Sequence, residues 1–318
     1  MISVLCLFFK EQSTGITNFR FNLYPNIITQ NMKKAVIGIS FGGKTLVAGK
    51  VNNGKIEKSI TRRINNKAPE DEVLAEVFAI INEVNDDEVA GIGIGVPSIV
   101  NVEKGIVYNV QNIPSWREVH IKEILEDHFD LKVYVNNDAN CLAIGETYFG
   151  KTAGYENSIG LILGAGVGAG IIFKGHLYSG TNCGAGEFGE IPYREHNYEY
   201  YLNESYFEDK YGVPALTFLN RANRKDKIAK AVFEYYGYDL GKLINTILFS
   251  VDPEVIVIGG PLAKAFPFFE KTMWEKVNTF PYKQTINKLK IIPSEQEDIA
   301  VLGAAALYFD AQNHRLIK

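Results

Sequence analysis

The sequence predicts an α/β protein of two lobes with like topology. Two observations carry that expectation. Strands alternate with helices along the chain, the pattern of an α/β architecture. A strand–glycine turn–strand–hairpin unit also occurs twice, at 35–54 and again at 158–175, displaced by roughly 120 residues. Such duplication suggests that each lobe offers a glycine hairpin to a shared cleft, although two unrelated β-hairpins would give the same local pattern. At 318 residues the chain is long enough for two domains and a large core.

Ala35 to Ser40 reads as a buried strand, Phe41-Gly42-Gly43-Lys44 as a tight turn, and Thr45 to Val51 as the returning strand. Asn53-Gly54 is a two-residue hairpin signal, which places a third strand from Lys55 to about Ile64. Val73, Leu74, Val77, Ile80 and Ile81 share one face at helical spacing, so a helix spans about Glu70 to Asn85. Glu88 to Val96 is the next strand, Val119 to His128 a helix, and Lys132 to Asn136 a strand. The second half opens alike, with a strand at Ser158 to Leu163, the turn Gly164-Ala165-Gly166-Val167-Gly168, a return at Ala169 to Phe173 and a hairpin closed by Lys174-Gly175. Helices are expected at Tyr201 to Lys210, Pro214 to Ala222 and about Lys225 to Phe249. Glu254 to Ile258 is a buried strand closing on Gly259-Gly260-Pro261. A helix from Leu262, a strand at Lys288 to Pro293 and a small-residue helix from Ala300 to Phe309 follow.

Composition narrows the functional classes. Apolar residues make up 46% and charged ones 22%, ordinary for a soluble protein. A net charge of -4 and a pI near 5.8 give no general attraction to nucleic acid or to an anionic membrane. Cys6, Cys141 and Cys183 are too few and too scattered for a disulfide framework or a zinc cluster, so a reducing cytoplasm fits best. Ile2 to Phe9 is apolar but lacks a basic leader and a cleavage site, and is too short to span a bilayer. Met32-Lys33-Lys34 opens a clean strand. Met32 is therefore expected to be the start, with 1–31 an upstream extension that has no fold of its own.

The stretch Val133-Tyr134-Val135-Asn136-Asn137-Asp138-Ala139-Asn140 runs a buried strand into a helix and leaves a carboxylate at the junction. Asn137 or Asp138 could cap that helix. Asp138 could equally be a general base, a role worth about 10²–10⁴-fold in rate. Glycine turns let backbone N–H groups approach phosphate oxygens unobstructed. Two of them on one cleft suit a nucleoside triphosphate, and Gly259-Gly260 after a buried strand adds a third close-approach point. Gly164-Ala165-Gly166-Val167-Gly168 is followed by a strand, not the helix a dinucleotide fingerprint requires. Glu187 among glycines could accept hydrogen bonds from a polyol, or be a solvated loop carboxylate. Asn112 and Asn137 could donate to the same substrate or form turns. Trp116 reads as readily as core as it does as a cleft wall.

Gly-Ile-x-x-Gly-Gly at 38–43, Gly-Ile-Gly-Val-Pro at 93–97, Asn112-x-x-x-Trp116, Asn137-Asp138-Ala139-Asn140, Gly164-x-Gly-x-Gly-x-Gly170, Gly184-Ala185-Gly186-Glu187-x-Gly189, Asp252-Pro253-Glu254 with Gly259-Gly260, and Gly303-Ala304-Ala305-Ala306 occur in this order. As a set they resemble the ROK family of sugar kinases and sugar-responsive repressors over essentially all of 33–310. The resemblance implies a two-lobed actin-like/ribonuclease H-like ATPase fold with a duplicated βββαβα core. The lobes would be 32–136, completed by a C-terminal helix at 300–312, and 137–299. It implies an ATP- and magnesium-dependent kinase for a hexose or N-acetylated amino sugar, usually a homodimer. By the same resemblance Asp138 is the base, and Asn112, Asn137, Glu187, Glu190 and Glu204 lie at the sugar. Gly42, Gly43, Lys44, Thr45, Gly164, Gly166, Gly168, Gly259 and Gly260 would lie at the nucleotide.

The sequence also departs from that family. Ser40 stands where the first phosphate turn usually has Asp, removing a carboxylate suited to magnesium. Ala165 replaces a Thr of the second turn, and Glu190 replaces a His. The Cys-rich zinc segment is missing in favour of a tyrosine-rich loop at 193–206, so no zinc is expected. The sugar side keeps its polar groups while the nucleotide side has lost two. A sugar-binding protein with weak or no kinase activity is the alternative. A DNA-binding repressor is not expected, because 1–31 is too short for a winged helix-turn-helix and carries only Lys10 and Arg20 as bases.

Overall fold

A computed structural model of the chain describes residues 34–42 and 44–316. The extension at 1–31, the start at Met32 and Gly43 lie outside the described residues. The first unit runs β1 (Ala35–Phe41), β2 (Thr45–Asn52), β3 (Lys55–Arg63), α1 (Glu70–Val84) and β4 (Val89–Val96). A small ribbon of β5 (Ile99–Asn101), β6 (Ile106–Tyr108) and β7 (Glu118–Val119) leads to α2 (Ile121–Phe129), β8 (Lys132–Asn137) and α3 (Asp138–Phe149). The second unit opens with β9 (Ser158–Leu163), β10 (Val167–Phe173) and β11 (His176–Tyr178). A 3-10 turn at Phe188–Glu190 and a ribbon of β12 (Pro192–Tyr193) and β13 (His196–Asn197) follow. Next come α4 (Tyr198–Leu202), α5 (Ser205–Tyr211), α6 (Ala215–Asn223) and α7 (Lys227–Val251). The unit ends with β14 (Val255–Gly259), α8 (Phe266–Val277), α9 (Lys283–Lys288), β15 (Lys290–Pro293) and α10 (Ile299–Leu316).

The duplication suggested by the glycine hairpins extends to whole sheets. One has the order β3-β2-β1-β4-β8 and the other β11-β10-β9-β14-β15, the same arrangement of first to fifth strands. In each, the first three strands pair antiparallel and the fourth and fifth join in parallel. The hairpin ends are also alike. Asn53-Gly54 has φ of 48° and 74°, and Lys174-Gly175 has 53° and 79°, the left-handed pair that matches strand twist in a two-residue loop. Parallel central strands covered on both faces explain why β4 and β14 read as unbroken apolar runs.

Each fifth strand feeds a helix, and each helix crosses to the other unit's sheet. α3 follows β8 yet packs on β9 and β10, where Gly160 and Gly170 face Ala143 and Ala139. α10 follows β15 yet packs on β1 and β4, where Gly38 and Gly93 lie against the Val301 and Ala304 carbonyls. The two helices then meet each other at Gly145 and Gly303. A Cβ on Gly145 would stand 2.8 Å from the Gly303 Cα, and one on Gly303 would land in the Cys141 carbonyl. Ala304, Ala305 and Ala306 are fully buried there. Small residues are required because the backbones touch.

Elements differ from expectation where side-chain–backbone bonds decide. The helix expected at Tyr201 to Lys210 is two helices, broken at Asn203-Glu204. Asn203 takes an extended ψ of 170° and its Oδ1 accepts from Tyr206 N at 2.9 Å, starting α5 afresh. The helix expected from Leu262 is a 3-10 turn at Pro261–Ala265, with α8 beginning only at Phe266 and Pro267 in its first turn. The final helix is longer than Ala300 to Phe309, reaching Ile299–Leu316. No helix among the described residues is long and apolar enough to cross a membrane. Gly93→Ala should lower unfolding free energy by about 2–4 kcal/mol, because its methyl has no room against α10. Urea titration would show this as a lower midpoint at unchanged slope.

Candidate active site

Asp138 is the first residue of α3, immediately after β8. The cap is its neighbour: Asn137 Oδ1 accepts from Asn140 N at 2.7 Å. The choice between cap and base thus resolves with Asn137 as the cap, and Asp138 opens into a cleft of about 780 Å³ between the units. Ala139 N donates to Asp138 Oδ1 at 2.9 Å, and among the described residues no side chain pairs with this carboxylate. Surrounding protein atoms dehydrate it although one face stays open to the cleft. That crowding pushes its pKa up to about 6, against the opposing pull of the backbone N–H groups.

A buried polar network fixes this junction. Asn136 Oδ1 accepts from Asn137 N at 2.9 Å, from Asn140 Nδ2 at 2.8 Å and from Cys183 Sγ at 3.3 Å. Asn136 Nδ2 donates to Ser179 Oγ at 3.2 Å. Asn136 and Asn140 are 2% and 0% exposed, so these bonds have no water to replace them. The network ties β8 and α3 of one unit to the loop after β11 of the other.

The cleft collects most of the expected residues. Gly42, Asn112, Asn137, Asp138, Gly164, Gly166, Gly168, Glu187, Glu190 and Glu204 all line it. Lys44, Thr45, Gly259 and Gly260 are not among the lining residues. Gly259 lies under α3, where a Cβ would stand 2.8 Å from Leu142 Cδ2. Gly260, at φ 86°, turns the chain so that Pro261 packs beside Gly164 instead. Trp116 is core: it is fully buried with its ring 5.2 Å from that of Phe41, and Phe41 is the aromatic that reaches the cleft.

Five carboxylates line the cleft, Asp138, Glu187, Glu190, Glu199 and Glu204, with no Lys, Arg or His among its lining residues. Burial raises the Glu187 pKa, helped by the charges of Glu190, Glu199 and Asp138. Glu190 Oε2 accepts from Asn197 Nδ2 at 3.0 Å, and Glu204 N donates to Gly164 O at 2.8 Å. Among the described residues no group of three or more His, Cys, Asp and Glu has metal-holding geometry. The tyrosine-rich loop is held by other means. Tyr193 stacks on Tyr198 at 4.4 Å, and Arg194 pairs with buried Asp239 at 2.5 Å. Burial raises the Asp239 carboxyl, against the opposing pull of Arg194 and Tyr193.

Glu199 had no sequence signal, because nothing in a tyrosine-rich loop says which acid turns inward. Tyr108, Asn109 and Gln111 were missed likewise: they come from the β5–β7 ribbon, whose strands are too short for periodicity to reveal.

The ROK family model matches residues 36–311. The chain belongs to the ROK family. It is 27% identical to a glucokinase of Thermotoga maritima over 310 residues, covering 86% of this chain and 97% of that one. It is 24% identical to the xylose repressor of Bacillus subtilis, covering 69% of this chain and 61% of that one. A ROK family glucokinase from Streptomyces griseus, solved with glucose and AMPPNP, superposes with a TM-score of 0.72 at 21% identity, covering 86% of this chain and 98% of that one. The two units are therefore the lobes of the actin-like ATPase fold.

Within this ROK protein the Asn136 network is the structural support of the acid at the cleft. Asn136→Ala would strand buried donors on Asn140 and Ser179 and should cost about 2–4 kcal/mol of stability. Thermal unfolding alongside Asn136→Asp would check it, the charged variant being at least as damaging because its carboxylate has no cation to pair with.

Proposed function

We propose that this ROK protein is an ATP-dependent sugar kinase acting on a hexose or an N-acetylated amino sugar, with Asp138 as general base. The observation that supports this best is Asp138 itself: a carboxylate at the floor of the interlobe cleft, unpaired by any described side chain, facing the glycine turns across the same space. The sugar would lie among Asn112, Asn137, Glu187, Glu190 and Glu204, which offer hydrogen bonds to hydroxyl groups from both lobes. Asp138 takes the proton of the acceptor hydroxyl as its oxygen bonds to the terminal phosphorus, and the diphosphate leaves. The role of Asn137 is divided, since Oδ1 is committed to the helix cap and Nδ2 remains for the substrate.

The nucleotide fits in part. Backbone at Gly42 and at 164–168 opens on the cleft, but Val167 N is already bonded to Glu199 Oε2 at 2.9 Å. Ser40 and Ala165 add no charge or hydroxyl to help. Magnesium, when bound with the triphosphate, supplies charge neutralisation. The described side chains hold no preformed cage for it, though the surplus of cleft carboxylates favours a cation. A sugar-binding protein with weak kinase activity is the second reading, and the Glu199 contact is the observation that favours it.

Coupled measurement of ADP release across a sugar panel tests the main reading. Turnover should fall by about 10²-fold or more in Asp138→Asn with sugar affinity retained. A base must be ionised to act, so kcat/KM should rise with pH through about 6 and level off above. A flat profile between pH 5 and 7, or a variant that keeps most of its turnover, would remove Asp138 from the chemistry.

A further inference from the structure

The second glycine turn is not bare. Its use for phosphate depends on the missing side chain at Gly166 and on free backbone N–H groups, and one chain carboxylate takes up both. Glu199 Oε2 accepts from Val167 N at 2.9 Å. The same carboxylate lies over Gly166, where a Cβ would stand 2.9 Å from Oε2 and 3.6 Å from Cδ. Glu199 does not arrive there by chance of a floppy loop. It sits on α4, capped by Asn197 Oδ1 accepting from Tyr200 N at 2.9 Å, with the Tyr193–Tyr198 stack and the Arg194–Asp239 pair holding the segment to α7. The corner after α4 is bonded to the same turn through Glu204 N and Gly164 O. Among the described residues no cation pairs with Glu199, and none lines the cleft.

We infer that Glu199 is a built-in anion on the phosphate turn, holding the N–H that a phosphate oxygen would take, so that a nucleotide enters only by displacing it. This rests on the reading that nucleotides use this cleft. Nucleotide affinity is then set by exchange of one anion for another, whereas sugar affinity, which depends on the opposite side of the cleft, is not. Like charges a few ångströms apart in a partly dehydrated site repel strongly, so even incomplete displacement carries a penalty.

Calorimetric titration of MgAMPPNP, and separately of glucose and N-acetylglucosamine, into the unaltered protein, Glu199→Gln and Glu199→Ala tests the inference. Glutamine keeps an acceptor for Val167 while dropping the charge, and alanine frees the N–H; thermal midpoints check that both variants fold. Both should bind MgAMPPNP at least about tenfold more tightly, while sugar affinity stays within about twofold. If the unaltered protein binds MgAMPPNP and neither variant gains, the inference is overturned and the kinase reading stands. If none of the three binds it, both are overturned.

Discussion

The contact between Gly145 and Gly303 is the constraint on which the rest of the molecule depends. Two helices can cross with their backbones touching only if neither carries a side chain at the crossing, and here neither does. Each helix also lies on glycine-bearing strands of the lobe it does not follow in sequence. The lobes are therefore interlocked through a core of Ala, Gly and Cys side chains, not docked by a peripheral face. Asp138 begins one of these helices, so its position at the cleft is set by the most closely packed part of the fold. The Asn136 network then fixes the direction in which that helix starts.

The cleft is asymmetric in chemistry although the lobes are symmetric in topology. Carboxylates and amides are concentrated where a polyol would be bound, and basic side chains are lacking where a triphosphate would be bound. The loop that supplies Glu199 and Glu204 is held by stacked tyrosines and a buried Arg194–Asp239 pair. Such a pair gains little net stability once desolvation is counted, but it fixes geometry, because either partner alone would be an uncompensated charge. Its contribution is placement of two acids against the turn at 164–168.

Much of this was legible in the sequence, and for identifiable reasons. The repeated glycine hairpins are local patterns, and local twist matching fixed their form, so the duplication could be read before any contact was known. Asp138 was conspicuous because a charged residue directly after a buried strand is out of place. The split at Asn203-Glu204 was not legible, since an asparagine that caps the next turn looks the same in sequence as one inside a helix. Gly259 was read as a ligand contact because close approach of a backbone to a phosphate and to Leu142 leave the same mark. Glu199 depends on a segment folding back over another lobe's hairpin, which no spacing encodes.

The exchange of helices between lobes also bears on how the polypeptide is made. The sheet of β1 and β4 is finished early, but one of its faces is covered only by α10, the last element described. The stretch from Val96 to Ile299 takes roughly 10–40 s to emerge at about 5–20 residues per second. During that interval the nascent first lobe presents Val36, Val51 and the glycine-lined faces of β1 and β4 to the surrounding solution. This ROK chain thus leaves the ribosome with an unsealed surface that a chaperone would have to shelter until its final turns arrive.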